Sequence, residues 1–396
     1  MPFVENRLEH RVALLRDYDT GAWSVSELCA AYGIDRSTFY YWCRRRETGA
    51  ESWFEDRSRA PHNCRHRSAA GTVEAIVEVR RRFPHFGAKK VRAWLVREKP
   101  EEGWPAASTI GDILKREGLI VPRGRRRRRL ETGKTEARAR AANAEWACDF
   151  KGWFRTRDGR RCDPLTITDS FSRYLLEVQI TPPTVDGVRP VFERVFRENG
   201  LPEAIRCDNG SPFGSSGAGG LTRLSVWWMK LGVRPCFIRP ASPQDNGCHE
   251  RMHRELKKLT ASSPAADLAE QQDRFDGFCW HYNQERPHEA LGQEVPASCW
   301  HRSPRPMPDR PDEPWYDADH QVRRVRPAGD IKFRSDYVFI GEAFAGELVG
   351  LRDRDDGSQL VRFFDIDLGI IDRTGAFRRF APLRHRLRKA AEGANV

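Results

Sequence analysis

Glu145-Trp-Ala-Cys-Asp149-Phe150 opens the stretch that decides the fold, because helical spacing gives way there to strand-like runs. Trp146 to Phe154, Cys162 to Thr168 and Tyr174 to Ile180 read as strands, with Asp158-Gly159 as the first hairpin turn. Val188, Val191, Phe192, Val195 and Phe196 then mark a helix ended by Gly200. Ala204 to Cys207 is a short strand, Leu221 to Leu231 a helix ended by Gly232, and Val233 to Ile238 a fifth strand. A loop, Pro240 to Gly247, leads into a further helix from about His249. The order βββαβαβ predicts a mixed sheet covered by helices, since parallel neighbours need crossover connections.

Three acids occupy telling places in that order. Asp149 lies within the first strand, Asp208 at the end of the fourth, and Glu250 at the start of the helix after the loop. Strand ends are where sites form in open sheets. Two negative charges ~4 Å apart repel by about 4 kcal/mol at an effective dielectric of ~20, so carboxylates converge only around a cation. Oxygen-only ligands favour Mg²⁺ or Mn²⁺, and two such ions suit in-line phosphoryl transfer. Cys148 and Cys207 precede the two aspartates, and strand alternation sends those thiols to the opposite, buried face. Asp169 and Asp245 are rival acids, the first ending a strand beside a Ser-Phe-Ser turn and the second inside the loop.

Outward from this core, composition supplies the partner. The chain has 396 residues, enough for two or three domains, and carries 68 Lys/Arg against 56 Asp/Glu. Residues 1–140 hold 30 of the basic and 19 of the acidic groups, so nearly all the excess is in the first third. A polyanion-binding front end follows, because phosphate contacts give nucleic-acid affinity largely through released counterions. No run reaches membrane-span length, Met1 to Arg11 does not read as a signal peptide, and the ten Cys include no C-x-x-C pair. These features predict a cytoplasmic, nucleoid-associated protein with reduced thiols.

The front end reads as two helix-turn-helix domains, residues 1–60 and 68–122. In the first, Ser24 and Glu27 form a capping box, Gly33 makes the turn and Asp35 caps the third helix. Phe39 and Trp42 face inward there, leaving Arg36, Ser37, Tyr40, Arg44, Arg45 and Arg46 for DNA. The second has Ile76, Val79 and Phe83, then Val91 and Leu95, then a helix capped by Ser108 or Thr109. Lys89 and Lys90 would edge it toward DNA. His62, Cys64 and His66 lack a second ligand pair and read as loop. Arg123 to Arg129, with Arg125, Arg126 and Arg127 at its centre, makes 123–141 a basic, DNA-tracking linker.

Trp146-Ala-Cys-Asp149, Arg206-Cys-Asp208-Asn209-Gly210-Ser-Pro-Phe213 and Ser242-Pro-Gln-Asp-Asn246-Gly247-x-x-Glu250-Arg251 together resemble the DDE integrase core of bacterial insertion-sequence transposases and retroviral integrases. The resemblance covers about 142–300 and includes Tyr282-Asn-x-x-Arg286-Pro287-His288-x-x-Leu291. It implies an RNase H-like catalytic core with two Mg²⁺ (or Mn²⁺) ions per active site on Asp149, Asp208 and Glu250. It further implies cleavage at the terminal inverted repeats of double-stranded DNA, transfer of a 3′-hydroxyl to target DNA, and a homo-oligomer on DNA. Arg254 and Lys257, on the face of Glu250, would contact phosphates, with Asn209 and Asn246 near the same DNA. The 41 residues between Asp208 and Glu250 exceed the usual spacing, and Ser215-Ser-Gly-Ala-Gly-Gly220 reads as a flexible insertion that absorbs the surplus.

Two other readings use the same residues. His249-Glu250-Arg-Met-His253 spells H-E-x-x-H, the zinc metalloprotease pattern, although Leu256, Lys257 and Lys258 stand where an extended ligand motif would continue. A regulator that keeps the fold and DNA binding without catalysis is the other. After the core, a Pro-rich linker spans 301–316, and alternating runs over 317–385 predict a small β-barrel, completing a multidomain α/β protein. Arg323, Arg324 and Arg326 would lie on its surface, and Asp365 and Asp367 read as exposed strand acids.

Overall fold

The computed structural model describes residues 7–49, 52–56, 68–120, 139–238, 247–258 and 262–380. The chain forms two compact units, Met1–Ser68 and Ala69–Val396. Among the described residues no helix is long and apolar enough to cross a membrane. Arg125 to Arg127, Asn246, Asp245 and the His62, Cys64, His66 group lie outside the described residues.

In the first unit α1 (Arg7–Asp19), α2 (Val25–Tyr32) and α3 (Arg36–Glu47) pack around Leu14, Leu15, Leu28, Phe39 and Trp42. The capping box is formed: Glu27 N–H donates to Ser24 Oγ at 3.3 Å, and Ser24 N–H to Glu27 Oε2 at 2.8 Å. Gly33, at φ +63°, ends α2 in the left-handed region that glycine adopts without strain. Asp35 stands at the start of α3 but makes no side-chain cap bond.

The second unit begins with α4 (Ala70–Arg82), α5 (Ala88–Glu98) and α6 (Ala107–Arg116), closed on Ile76, Val79, Val91, Leu95, Ile110 and Leu114. The expected cap of α6 is corrected. Ala106 precedes its first turn, so Ser108 and Thr109 lie within the helix and cap nothing.

A central five-stranded sheet follows, built from β1 (Trp146–Phe150), the hairpin β2 (Phe154–Arg155) and β3 (Arg161–Cys162) beside it, then β4 (Pro164–Asp169) and β5 (Leu175–Ile180). After α7 (Val185–Asn199) come β6 (Ala204–Cys207), α8 (Arg223–Lys230) and β7 (Arg234–Phe237). Its strand order is β5-β4-β1-β6-β7, antiparallel from β5 to β1 and parallel from β1 to β7. Trp146, Cys148 and Cys207 bury one sheet face against Phe192, Phe196 and Trp228 of α7 and α8. The other face carries α9 (Gly247–Leu256) and α10 (Leu268–Trp280), through Met252, Leu256, Phe275 and Phe278 on Leu175 and Val178. The sheet is therefore sandwiched, as the crossover argument requires.

Past α11 (Pro296–Cys299) the small antiparallel domain contains β8 (His320–Arg324), β9 (Asp330–Phe333), β10 (Asp336–Phe339), β11 (Leu348–Asp353), β12 (Gln359–Phe363), β13 (Ile366–Ile371) and β14 (Phe377–Arg379). These make a five-stranded sheet in the order β14-β13-β12-β11-β8 and a two-stranded ribbon of β9 and β10.

Two connections differ from their sequence reading. The Pro-rich stretch is no free tether: Ser303 Oγ donates to Leu201 O at 2.7 Å, Leu201 N–H to Arg305 O at 2.7 Å, and Met307 packs on the sheet core. Nor is 215–220 a flexible rim loop. Ala218 and Leu221 are buried with Ile331, Phe344 and Leu368 of the β domain, and Arg379 donates to Ser216 O at 2.7 Å. Small residues here permit close apposition of two surfaces, a reading that composition alone does not separate from flexibility.

Candidate active site

Strand register positions the two aspartates. β1 and β6 pair in parallel with Trp146 opposite Ile205 and Ala147 opposite Arg206. Continuing that register by two residues sets Asp149 level with Asp208, on strands about 4.8 Å apart. Their Cys neighbours are buried on the far face as alternation predicts, and burial holds the Cys148 thiol well above its ordinary range. Glu250 lies in the first turn of α9, exposed, while Met252 and Leu256 of the same helix are sunk in the core. Arg254 and Lys257 are exposed with Glu250, so the three share the open face.

Electrostatics tie the acids together. The Asp149 carboxyl is pushed up to about 7, first by burial and then by the charge of Asp208, with Glu250 adding in the same direction. Asp208 is also raised by partial desolvation, even though the residue as a whole is exposed, and the Gly210 N–H at 3.2 Å opposes the shift. A carboxyl held this high is under-compensated, since burial and the charge of Asp208 raise it by more than the charge of Lys151 lowers it. The carboxylate oxygens of the three acids and that deficit fit a hard divalent cation. Lys151 was not singled out by sequence reasoning, yet Lys257 and Asp149 both act on its charge. Its only signal was a position two residues beyond Asp149 on the same strand line.

The two histidines of H-E-x-x-H turn away from Glu250 into the protein. Both are buried, at 3% and 9% exposure, and stand edge to face with ring centres 4.6 Å apart. Thr166, opposite Asp149 on β4, brings its Oγ1 within 2.6 Å of His249 Nε2 and 2.8 Å of His253 Nε2. Thr168 Oγ1 is 3.1 Å from His249 Nδ1. Burial lowers His249 to about 3 and His253 to about 2. Because His249 uses both nitrogens on threonines, the pair is not presented as a zinc protease needs.

Other expected site residues are redistributed. The Asn209 amide donates to Ile238 O at 2.8 Å, joining the loop after Asp208 to the end of β7. Asp169 is no rival: it is buried and accepts from Asn143 N–H at 2.8 Å, Ser172 N–H at 2.7 Å and Ser172 Oγ at 2.6 Å. Asp367 pairs with Arg362 at 2.8 Å.

On α3, Arg36, Ser37, Tyr40 and Arg44 are exposed as expected. Arg45 and Arg46 correct the outward arginine run. Arg45 is buried over the Trp42 ring at 4.9 Å, and Arg46 is held by Asp19 at 2.7 Å. Helical rotation puts i+3 from Trp42 on its inner side. Lys89 pairs with Glu289 at 2.8 Å, turning toward the sheet unit, and Lys90 is partly buried beside Phe86.

Comparison with known proteins bears on the same regions. Residues 139–243 and 231–296 each match a family described as integrase core domain. Residues 10–62 match a helix-turn-helix domain and 38–114 a homeodomain-like domain. A 31.7 kDa protein of insertion element IS407 from Burkholderia multivorans is 27% identical over 233 residues, 58% of this chain and 79% of its own length. Transposase InsD for insertion element IS2D of Escherichia coli is 25% identical over 300 residues, 69% of this chain and 90% of its own. Among solved structures, the HTLV-2 integrase catalytic core domain in complex with magnesium is 16% identical at TM-score 0.33, covering 41% of this chain and 100% of that one. A chain from the structure of the simian T-cell lymphotropic virus intasome in complex with PP2A regulatory subunit B56 gamma is 16% identical at TM-score 0.36, covering 77% of this chain and 98% of that one.

Proposed function

We propose that this chain, whose residues 139–243 and 231–296 match the integrase core domain, is a DNA transposase, cutting at transposon ends and joining the freed 3′-hydroxyl to target DNA. The observation that carries this reading is the level placement of Asp149 and Asp208 on adjacent parallel strands, with Glu250 on the open face of α9 and the Asp149 carboxyl raised to about 7. Asp149 would serve two Mg²⁺ or Mn²⁺ ions, with Asp208 and Glu250 each holding one. When bound, such ions make an attacking hydroxyl more nucleophilic and stabilise the departing phosphoester oxygen.

The chain's own residues supply the rest. Arg254 and Lys257 hold DNA phosphates beside Glu250, and Lys151 offsets negative charge next to Asp149. Met252 and Leu256 anchor α9, so Glu250 cannot drift from the strand ends. In the first step water attacks the phosphorus at the element end and the element's 3′-oxygen leaves as a free hydroxyl; in the second that 3′-hydroxyl attacks a target phosphodiester and displaces the target strand's own 3′-oxygen. Arg36, Ser37, Tyr40 and Arg44 would read the terminal repeats, with the 123–141 segment following the backbone. Two ends must be cut together, which calls for a homo-oligomer on DNA, working in the cytoplasm at the nucleoid.

Labelled element-end DNA incubated with the full chain and Mg²⁺ tests the reading. Asp149→Asn, Asp208→Asn and Glu250→Gln should each reduce cleavage by roughly 10³-fold or more, with DNA binding retained. Cleavage surviving Glu250→Gln would remove that residue from the site. Binding without cleavage in Mg²⁺ and in Mn²⁺ would make the chain a regulator.

A further inference from the structure

The Thr166 hydroxyl has one proton and three polar neighbours. Its Oγ1 is 2.9 Å from the Asp149 carbonyl oxygen, which can only accept, so the proton goes there. The hydroxyl's lone pairs then face His249 Nε2 at 2.6 Å and His253 Nε2 at 2.8 Å, and both nitrogens must carry hydrogen. Two buried imidazoles in edge contact are neutral, so each has a bare Nδ1. His249 Nδ1 accepts from the Thr168 hydroxyl at 3.1 Å. Among the described residues, none donates a hydrogen bond to His253 Nδ1. Facing it at 4.0 Å is Asp149 Oδ2, which is also an acceptor once that carboxyl is ionised.

With Asp149 ionised, two acceptors stand 4.0 Å apart, and a cation between them satisfies both. The 4.0 Å gap is one that two metal–ligand bonds of about 2.1 Å can span. Asp149, His249 and His253 also form a group whose ligand atoms lie within 4.8 Å of one another, and the threonines remove His249 from it. We propose that His253 Nδ1 is a nitrogen ligand to the cation held by Asp149, making that centre a mixed nitrogen and oxygen site selective for Mn²⁺ over Mg²⁺. The inference rests on the reading of Asp149 as a metal ligand and adds a ligand outside the three acids. Imidazole raises affinity for Mn²⁺ relative to the harder Mg²⁺. Thr166 is the positioning residue, because its single hydroxyl selects the tautomer that bares Nδ1.

The test is Mn²⁺ and Mg²⁺ binding to the full chain by calorimetry, with pulsed electron paramagnetic resonance of the bound Mn²⁺. His253→Gln is the informative variant, since its amide keeps an N–H near the Nε2 position for Thr166 and places no atom at Nδ1. The wild type should show nitrogen coupling from a bound imidazole. His253→Gln should lose it, with Mn²⁺ affinity down roughly tenfold and Mg²⁺ affinity changed by less than about twofold. A nitrogen-free wild-type spectrum overturns the proposal whether or not the variant folds. So does unchanged Mn²⁺ affinity in a folded His253→Gln. If Asp149→Asn abolishes binding while His253→Gln matches wild type, this inference alone fails. If Asp149→Asn also binds normally, the reading of the acids fails with it.

Discussion

Leu368 of the β domain lies against Gly219, in the loop that follows Asp208: a Cβ at position 219 would stand 3.3 Å from Leu368 Cδ2. Gly219 also adopts φ +65°, and Leu221 would sit 3.4 Å from the same Cβ. The surplus residues between the second and third acids are thereby a pad on which the C-terminal domain rests. Lys230 and Glu347, paired at 2.8 Å, and Val226 and Met229 in the shared apolar cluster extend the contact along α8.

Removing that contact should loosen the β domain. Leu368→Ala deletes a fully buried side chain and should cost about 2–5 kcal/mol in urea denaturation. Gly219→Val should destabilise as well, through strain at positive φ and crowding of Leu368. Hydrogen exchange at residues 215–220 should rise in both variants. Unchanged exchange there would mean that the pad is held by other contacts.

The strap from Ser303 to Met307 offers a second stability test. The Arg305 guanidinium donates to Pro202 O at 2.8 Å, Gly232 O at 2.8 Å and Leu231 O at 3.3 Å, capping the carbonyls at the ends of two elements. Arg305→Ala should cost about 1.5–3 kcal/mol, the range for bonds to a charged group. Arg305→Lys should recover only part of that loss, since one ammonium cannot reproduce the planar fork. Chemical denaturation of the three proteins checks the ranking.

DNA binding by the first unit should separate the arginines of α3. Arg36→Ala and Arg44→Ala, both exposed, should each lower the slope of log affinity against log salt by about 1. Arg45→Ala should leave the slope unchanged and instead destabilise the unit by about 0.5–2 kcal/mol, through loss of its position over Trp42. Fluorescence anisotropy across a salt series, beside thermal melts, distinguishes the two effects.

Acid should weaken the metal-free second unit. Burial lowers His249 to about 3, and His253 and His288 to about 2, all below the ordinary value near 6.5. Each therefore contributes stability that is complete above about pH 6.5 and lost as pH falls toward the folded values. Asp149, raised to about 7, acts oppositely, since the folded form holds its proton while the unfolded form has released it. For these four groups the net uptake on unfolding near pH 5 is about two protons, or roughly 3 kcal/mol per pH unit. Urea midpoints at pH 7, 6 and 5 measure it. A flat profile would show that the histidines are hydrated.

The chain's periodicities determined much of this architecture without further help. Alternation and helical spacing are local, and the strands around Asp149, the helices over 185–199 and 223–230, and the Ser24–Glu27 cap lie where the pattern places them. The places of the three candidate acids were legible for the same reason, with Asp149 within β1, Asp208 just past β6 and Glu250 in the first turn of α9. What only the tertiary structure decided concerns groups whose partners are distant in the chain. His249 and His253 look like zinc ligands until Thr166, more than eighty residues earlier, takes their Nε2 atoms. Arg46 looks free until Asp19 faces it, and 215–220 looks loose until Leu368 arrives from the far end. A side chain's identity sets which bonds it can form, whereas which bond it does form depends on what the fold brings within about 3 Å of it.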